Sequence, residues 1–425
     1  MNNFIYEVAE TLDDAWVNFE LDLPLPSDEN GDPNPFYVNR PGNPISRLER
    51  ALLRRFNTPP KWFFSGHRGC GKSTELYRLA ASSKIQEKYW PIHFSIRDFA
   101  DVNNLDYRDV LLAMGGQLFT QYQAQSGNKL KKGLLDELNE WRGRVETKIT
   151  IVKKGNKEIE VNAGLKNFFA ELGGKVKLEP KTREVLHQIL EQDINELIEL
   201  INLIVRNILG NEQKYPLILI DDLDKPDLAV AQKIFYERRE VMLQPSCPIV
   251  YTVSSPLFYS PEFEAIKDRA IFLPNVKLHE KGNLDARFPE GYYTLRQFIH
   301  KRMESNLIEE SALELAATMS GGVFRELARV MRNSIDLALA DERDVINEAD
   351  VENAATAMRS LYWRVLTAEQ RDILVDVHRH NEMREPDRYA PLLQMLAILE
   401  YSNGDPWCDI HPVLREMVEQ DSSSS

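Results

Sequence analysis

The chain has 425 residues, which is enough for two or three domains and a sizeable hydrophobic core. Its composition, 43% hydrophobic and 28% charged, is typical of an ordinary globular protein, and its net charge of -14 opposes non-specific attraction to nucleic acid or anionic lipid. No apolar run approaches the roughly 18 residues of a membrane span, no basic stretch precedes an apolar leader, and the three cysteines are far apart. We therefore expect a cytoplasmic protein with no membrane partner, no disulfide framework and no zinc site.

The pattern of the first 290 residues predicts an α/β fold. Residues 1–36 are polar and rich in proline, which favours an extended segment. Over residues 37–290, short buried strands alternate with helices, as in a three-layer αβα core with a parallel sheet. The predicted strands are 61–65, 90–96, 217–220, 248–253 and 270–273, and the predicted helices include 45–56, 72–83, 107–125 and 183–209.

Four further regions differ from this core in composition. Residues 127–181 are rich in lysine, and KITIVKKGNKEIEV at 148–161 is typical of two strands joined by a Gly-Asn turn, so we expect an insertion that contains a basic β-hairpin. Residues 291–360 have an all-helical pattern, which predicts a helical lid. Residues 361–420 mix short helices with Pro, Gly and Asp breaks, and the serine-rich residues 421–425 are expected to be a disordered tail.

A glycine-rich segment lies between the first predicted strand and the helix that follows it. Residues 66–73 read GHRGCGKS and match the pattern GxxxxGK[ST] without a mismatch. In such a loop the backbone N–H groups point at phosphate oxygens, Lys72 reaches the β- and γ-phosphates, and the Ser73 hydroxyl binds Mg²⁺. The predicted nucleotide-binding residues are Gly66, His67, Arg68, Gly69, Cys70, Gly71, Lys72, Ser73 and Thr74. The segment therefore predicts a P-loop NTPase core.

An acidic strand end supplies the second half of the predicted site. Residues 217–224 read LILIDDLD, an apolar run that ends in two aspartates. Phosphoryl transfer needs an acid at a strand end to hold the magnesium shell, and Asp221 is placed for that role, while Asp222 is placed to orient the attacking water. Two aspartates can also simply solvate a strand end, but the neighbouring phosphate-binding motif favours the functional interpretation.

Two arginines are candidates for completing the site. Arg325, in SGGVFREL at 320–327, lies early in a predicted lid helix, from which a cation can reach back to the nucleotide. Arg269 stands just before the last core strand, where it can face the γ-phosphate of a neighbouring subunit. For each, the alternative is a surface arginine paired with an acid. Three hydroxyls are either γ-phosphate sensors or ordinary strand-end groups: Thr252, Ser254 and Ser255.

Together these segments resemble a known group of proteins. The order of GHRGCGKS, LILIDDLD, the polar strand end TVSS, an arginine before the last core strand and SGGVFREL is similar to that of the AAA+ and STAND P-loop ATPases, over about residues 37–360. The doubled aspartate is more similar to the STAND signalling ATPases and their bacterial relatives. The resemblance implies ATP and Mg²⁺ bound between core and lid, homo-oligomerisation with a neighbour's arginine completing the site, and a winged-helix-like C-terminal domain over residues 361–420.

The same resemblance implies a function. Proteins of this organisation act as slow ATPases whose nucleotide state drives oligomerisation, and in bacteria they often work with a separately encoded effector in defence or signalling. One alternative is a DNA-associated ATPase similar to an initiator or clamp loader. DNA is not favoured, because the arginines of residues 361–420 are matched by at least as many acids. A second alternative is a nucleotide-binding scaffold without turnover, because Asp222 stands where a catalytic Glu is usual.

Overall fold

A five-stranded parallel sheet forms the centre of the molecule. The computed structural model describes residues 4–28, 31–127, 130–153, 180–402 and 405–424. The strands are β1 Lys61–Gly66, β2 Tyr89–Ser95, β3 Tyr215–Asp221, β4 Ile249–Thr252 and β5 Ala270–Leu273. All neighbours are parallel and the order across the sheet is β2-β3-β4-β1-β5. The prediction of an α/β fold with a parallel sheet is confirmed.

Both faces of this sheet are buried. In β3, Ile218 and Ile220 belong to one hydrophobic cluster, whereas Leu217 and Leu219 belong to a second cluster on the opposite face. Successive side chains of a strand point to opposite faces, so an uninterrupted apolar run fits a strand that is covered by helices on both sides. The core therefore has the predicted three layers.

The N-terminal segment contains a helix, α1 (Leu12–Asn18), where the sequence predicted only extended chain. The Thr11 hydroxyl caps it by accepting a hydrogen bond from the Asp14 amide. Its apolar side chains Leu12 and Ala15 are buried in the cluster of the helical region that follows the core. The prediction missed this helix because seven residues are too few to form a stable helix without tertiary packing.

Helices pack on both faces of the sheet. The face of Leu217 and Leu219 is covered by α2 Ser46–Leu53, α3 Lys72–Ala81 and α4 Ser83–Lys88. The opposite face is covered by α5 Tyr107–Ser126, α6 Lys132–Lys153, α7 Pro180–Gln192, α8 Ile194–Glu212, α9 Leu228–Gln232 and α10 Arg239–Met242.

The predicted β-hairpin of the insertion is wrong in its first strand. Residues 148–153 belong to the helix α6, and residues 154–179, which include the rest of the predicted hairpin, lie outside the described residues. The helix is anchored by apolar side chains at helical spacing, and all of them are buried in the core: Leu134, Leu138, Trp141 and Val145. This packing overrides the strand preference of the β-branched residues in KITIV.

The single long helix predicted over 183–209 is also wrong. The chain breaks between α7 and α8 at Asp193, whose φ of -110° and ψ of 21° are not helical. Its carboxylate is paired with Lys148 of α6. Aspartate is a poor former of helix interiors, and this ion pair gives the side chain a partner at the break.

A helical lid follows the core. A small antiparallel pair, β6 His279–Glu280 and β7 Asn283–Arg287, leads from β5 into the lid. The lid helices are α11 Pro289–His300, α12 Glu310–Met319, α13 Phe324–Ala340 and α14 Glu348–Val365, so the last of them extends five residues past the predicted boundary.

The C-terminal domain has a winged-helix-like arrangement, as expected. Helices α15 Ala368–His380 and α16 Pro386–Gln394 precede an antiparallel hairpin of β8 Ile398–Ser402 and β9 Pro406–Ile410, which we call the wing. A last helix, α17, spans Arg415–Ser424, so the predicted disordered tail is wrong up to residue 424. Within the described part of the chain, no helix has the length and apolar character needed to cross a membrane.

Candidate nucleotide-binding site

The carboxyl ends of β1 and β3 border a cavity of about 250 Å³. The phosphate loop, which is GHRGCGKS at residues 66–73, leaves β1 at Gly66 and enters α3 at Lys72. Segments that precede the core and the first turn of the lid helix α13 also line the cavity. Ligands of open α/β sheets bind at this edge, where helix N-termini and strand ends meet.

The phosphate loop contributes some of the predicted residues to this cavity and not others. Those that line it are Gly69, Gly71, Lys72, Ser73 and Thr74. Neither His67 nor Cys70 lines the cavity, and both residues are fully buried. The exposed Arg68 does not line the cavity and donates to the carbonyl oxygen of Lys225, 3.4 Å distant. Gly66 ends β1, where its role is to start the turn.

Gly69 brings the lid against the phosphate loop. Its φ is +77°, and a Cβ placed there would lie 2.3 Å from the Cβ of Arg325. The Arg325 amide donates to the Gly69 carbonyl oxygen at 3.2 Å. Only glycine allows both the left-handed backbone and this close approach. The loop and the lid are therefore in direct backbone contact.

Lys72 is turned back towards the loop. Its Nζ lies 2.7 Å from the carbonyl oxygen of Gly66, 2.9 Å from that of His67 and 2.9 Å from Oδ2 of Asp224. Burial disfavours its charged form, yet Asp224 raises the pKa of Lys72 above its ordinary value. The lysine is therefore charged and has a full set of partners.

Three carboxylates gather at the end of β3. One oxygen each of Asp221, Asp222 and Asp224 lies within 4.8 Å of the others, a spacing that suits a single cation. Burial, followed by the charges of the other two aspartates, raises the pKa of Asp221 to about 6. The Ser73 hydroxyl is hydrogen-bonded to Asp221, so the two predicted magnesium ligands are adjacent. Oxygen donors of this kind are the ligands that Mg²⁺ prefers.

Asp222 is held in an unusual conformation beside the cation site. Its φ is +63°, and its Oδ2 accepts a 2.6 Å hydrogen bond from the Ser95 hydroxyl at the end of β2. Lys225 lies 3.7 Å from its other oxygen. The side chain faces the cavity and is partly exposed, as a residue that orients water must be. Its role in orienting water stays a prediction.

The two predicted arginines lie in different places. Arg325 lines the cavity, and its guanidinium is paired with Asp22 of the N-terminal segment. Arg269 is exposed, and it precedes β5 at the amino edge of the sheet, opposite the cavity. It therefore does not join its own subunit's site, and its action on a neighbour stays a prediction.

Of the three predicted hydroxyl groups, Thr252 has an evident structural role. Its Oγ1 accepts from the Leu223 amide at 2.9 Å and donates to the Ile220 carbonyl oxygen at 3.1 Å. It therefore fixes the chain on either side of the aspartate pair. Neither Ser254 nor Ser255 lines the cavity, and both are buried, which favours the interpretation as ordinary strand-end groups.

The sequence analysis missed several residues of the site. Arg40 is one of them, and its buried Nη2 has no hydrogen-bond partner among the described residues. This nitrogen lies 3.2 Å from where a Cβ on Gly71 would be, so it faces the phosphate loop. Nothing in its local sequence marked it. Asp224 was visible in LILIDDLD, and counting all three acids of that motif would have found it.

The wing of the C-terminal domain contacts the phosphate loop from below. The Glu400 amide in β8 donates to Nε2 of His67 at 2.8 Å. Burial, with the charge of Lys72, lowers the pKa of His67 to about 3, so the ring is neutral and can accept this bond. The carbonyl oxygen of Glu400 accepts from Nδ2 of Asn275 at 3.1 Å, and its carboxylate accepts from the Tyr259 hydroxyl. The amide, the carbonyl and the carboxylate of Glu400 are thus each bound to the α/β core.

A second set of contacts joins the C-terminal domain to the lid and to the core. The Tyr401 hydroxyl donates to the Gly321 carbonyl oxygen at 2.8 Å, just before α13. Helix α16 packs against the 3₁₀ turn Ser255–Tyr259 of the core. The C-terminal domain is therefore docked on both the core and the lid.

The fold and the site define a class of protein. The chain has a phosphate loop between β1 and α3, an acidic end of β3, a parallel sheet in the order β2-β3-β4-β1-β5 and a helical lid, and together these are a three-layer P-loop NTPase fold. No protein-family model matches the chain, and no curated protein matches it at a significant level.

Among solved structures, Cdc6p from Pyrobaculum aerophilum is 10% identical with a TM-score of 0.38, and the match covers 94% of this chain and 100% of that one. The Aeropyrum pernix ORC1 protein in complex with DNA is 13% identical with a TM-score of 0.42, over 91% and 94% of the two chains. A variant of Thermotoga maritima RuvB is 13% identical with a TM-score of 0.35, over 91% and 95%. Such distant likenesses carry no argument about function, which rests on the site itself.

Proposed function

We propose that the chain is an ATP-dependent conformational switch, in which ATP bound together with Mg²⁺ is hydrolysed slowly and the nucleotide state docks or releases the C-terminal domain. The observation that carries this proposal is the 2.8 Å hydrogen bond from the Glu400 amide to His67, because it joins the phosphate loop directly to the wing. The loop cannot move around a nucleotide without affecting this contact.

Each of the polar residues around the cavity has a proposed role in ATP hydrolysis. Mg²⁺ bound to Ser73 and Asp221 would neutralise phosphate charge. Lys72 would bind the β- and γ-phosphates once it leaves its present partners, and Arg325 would approach from the lid. Asp222 would orient the water. Because its side chain is one methylene shorter than that of glutamate and Ser95 holds it at 2.6 Å, we propose slow turnover.

Release of the C-terminal domain would break several hydrogen bonds of Glu400 together. Glu400 is bound through its amide, its carbonyl and its carboxylate to three different segments of the core. Loss of one of these bonds leaves a buried polar group unpaired, which weakens the others. Docking is therefore cooperative, as a two-state switch requires.

Assembly into a homo-oligomer is part of the proposal. Arg269 is exposed and lies outside its own cavity, so a neighbour's γ-phosphate is the ligand it can serve. ATP binding would then favour assembly, because the nucleotide would contact both subunits.

A DNA-associated ATPase is the second candidate, and the winged-helix-like domain is the observation that favours it. In such domains a helix enters the major groove. Here α16 packs on the core turn Ser255–Tyr259, so it would read DNA only after release. Arg388 of this helix is paired with Glu369 and Glu385, which reduces the charge available to DNA phosphates. Release of the domain and binding of DNA would therefore be coupled.

An effector protein is the other partner that we propose for the released domain, within a bacterial defence or signalling system. The released surface would include the wing, whose apolar Leu399, Tyr401 and Trp407 are buried together in the docked state. Exposure of this surface would offer an apolar site to a protein partner.

One set of measurements tests these proposals. ATP turnover, particle mass and hydrogen exchange of residues 398–402 are measured for wild type, Lys72→Ala and Asp222→Asn, with and without duplex DNA. We expect slow turnover that both variants lose, a larger mass with ATP, and faster exchange of β8 with ATP. No turnover in wild type would remove the enzyme activity, and unchanged exchange would remove the switch. Stimulation by DNA would favour the second candidate over an effector protein.

A further inference from the structure

Lys72 has no donor left for a phosphate in this structure. A lysine ammonium carries three N–H donors, and the three acceptors around this one are the carbonyl oxygens of Gly66 and His67 and a carboxylate oxygen of Asp224. To bind a phosphate, the ammonium must leave at least one of them.

Asp224 is the strongest of the three partners. The two carbonyl oxygens are neutral, whereas Asp224 is a carboxylate 2.9 Å from Nζ, with side chains that are only 5% and 4% exposed for Lys72 and Asp224. A hydrogen bond between two charged groups is about twice as strong as a neutral one, and water screens it little at this burial. The negative charge of Asp224 therefore decides where the lysine points.

We propose that Asp224 is a positioning residue that holds Lys72 back against the phosphate loop and competes with the nucleotide's phosphates for its ammonium group. The inference rests on the proposed function, since it concerns the same cavity. Asp224 acts through Lys72 and touches no reacting atom in this role.

Magnesium would make the exchange favourable. When Lys72 moves to a phosphate, Asp224 loses its buried counter-charge, which is costly. One of its oxygens lies within 4.8 Å of oxygens of Asp221 and Asp222, so a cation that arrives with the nucleotide stands next to it and replaces that charge. Asp224 therefore couples nucleotide affinity to Mg²⁺: without the cation, Lys72 stays paired and binding is weak.

Calorimetric titration of the full chain with ADP, in Mg²⁺ and in EDTA, tests this coupling. We expect wild type to bind ADP at least about tenfold more weakly in EDTA, and Asp224→Asn to bind ADP in EDTA at least about tenfold more tightly than wild type. The matched control is Asp222→Asn, which removes the same charge from the same cluster but does not contact Lys72. It should raise the affinity in EDTA clearly less than Asp224→Asn does, because it removes only the general repulsion of phosphates.

Several results would overturn the inference. Equal effects of Asp224→Asn and Asp222→Asn would mean that general repulsion of phosphates, not the pairing with Lys72, weakens binding. An unchanged affinity of Asp224→Asn in EDTA would also overturn it, while leaving ATP binding intact. Circular dichroism checks that each variant folds, and the wild-type comparison needs no variant: equal affinity in Mg²⁺ and in EDTA overturns the inference. Absence of nucleotide binding by wild type in Mg²⁺ would overturn the proposed function and this inference with it.

Discussion

Removal of the His67 imidazole should loosen the C-terminal domain. In His67→Ala, the Glu400 amide loses its acceptor and stays buried without a partner, which costs about 1–3 kcal/mol. The ring also loses its edge-on contact with Phe272. A free-energy change of about 1–3 kcal/mol corresponds to an about 5- to 150-fold larger population of undocked molecules.

Hydrogen exchange with mass spectrometry measures this population. Protection of the β8 residues 398–402 should fall by that factor, because exchange of a buried amide follows the free energy of local opening. Two controls bracket the effect. Arg68→Ala changes the next loop residue, whose exposed side chain is directed at Lys225 and not at the wing, and should leave β8 unchanged. His67→Gln carries an amide oxygen that can accept the same bond and should restore part of the protection. Equal protection of wild type and His67→Ala would refute the coupling between loop and wing.

Three further predictions concern the same region. Burial raises the pKa of Glu400 to about 7. The stability that its protonated carboxyl contributes, on the order of 3 kcal/mol, is therefore fully present below about pH 4.5 and is lost as the pH rises through 7. Thermal unfolding measured from pH 5 to 8 should show this loss in wild type and not in Glu400→Gln. Protons and Mg²⁺ compete for Asp221, because burial and the neighbouring aspartates raise its pKa to about 6. The affinity for Mg²⁺–ADP should therefore fall by up to about tenfold per pH unit below pH 6. An affinity that stays constant in calorimetric titrations from pH 5 to 7 would contradict this. Gly69→Ala should weaken ADP binding and lower the melting temperature far more than Gly127→Ala. Both glycines have positive φ, but only a Cβ on Gly69 would lie 2.3 Å from the Cβ of Arg325. Similar effects of the two variants would show that this contact is unimportant.

Local patterns in the sequence were enough to predict the sheet and the phosphate loop. The loop is recognised from eight contiguous residues, and the strand LILI from its uninterrupted apolar character, because each depends on chain chemistry within a few residues. Patterns of this kind failed where distant packing decides the outcome. The segment KITIV has strand-forming residues, yet it continues a helix whose buried face, including Trp141, is fixed in the core.

The working parts of the site lie between segments that are far apart in the chain, and only the tertiary structure brings them together. His67 and Glu400 are 333 residues apart, and no local signal marks either as a partner of the other. The pairing of Lys72 with Asp224 depends on the carboxyl ends of β1 and β3 lying at the same edge of the sheet, although β4 lies between the two strands. The sequence by itself therefore predicted a phosphate-binding loop and an acidic strand end beside it, because both patterns are local. Which partner holds the lysine and which domain contacts the loop were decided by packing, because burial sets the strength of each of these charged and polar contacts.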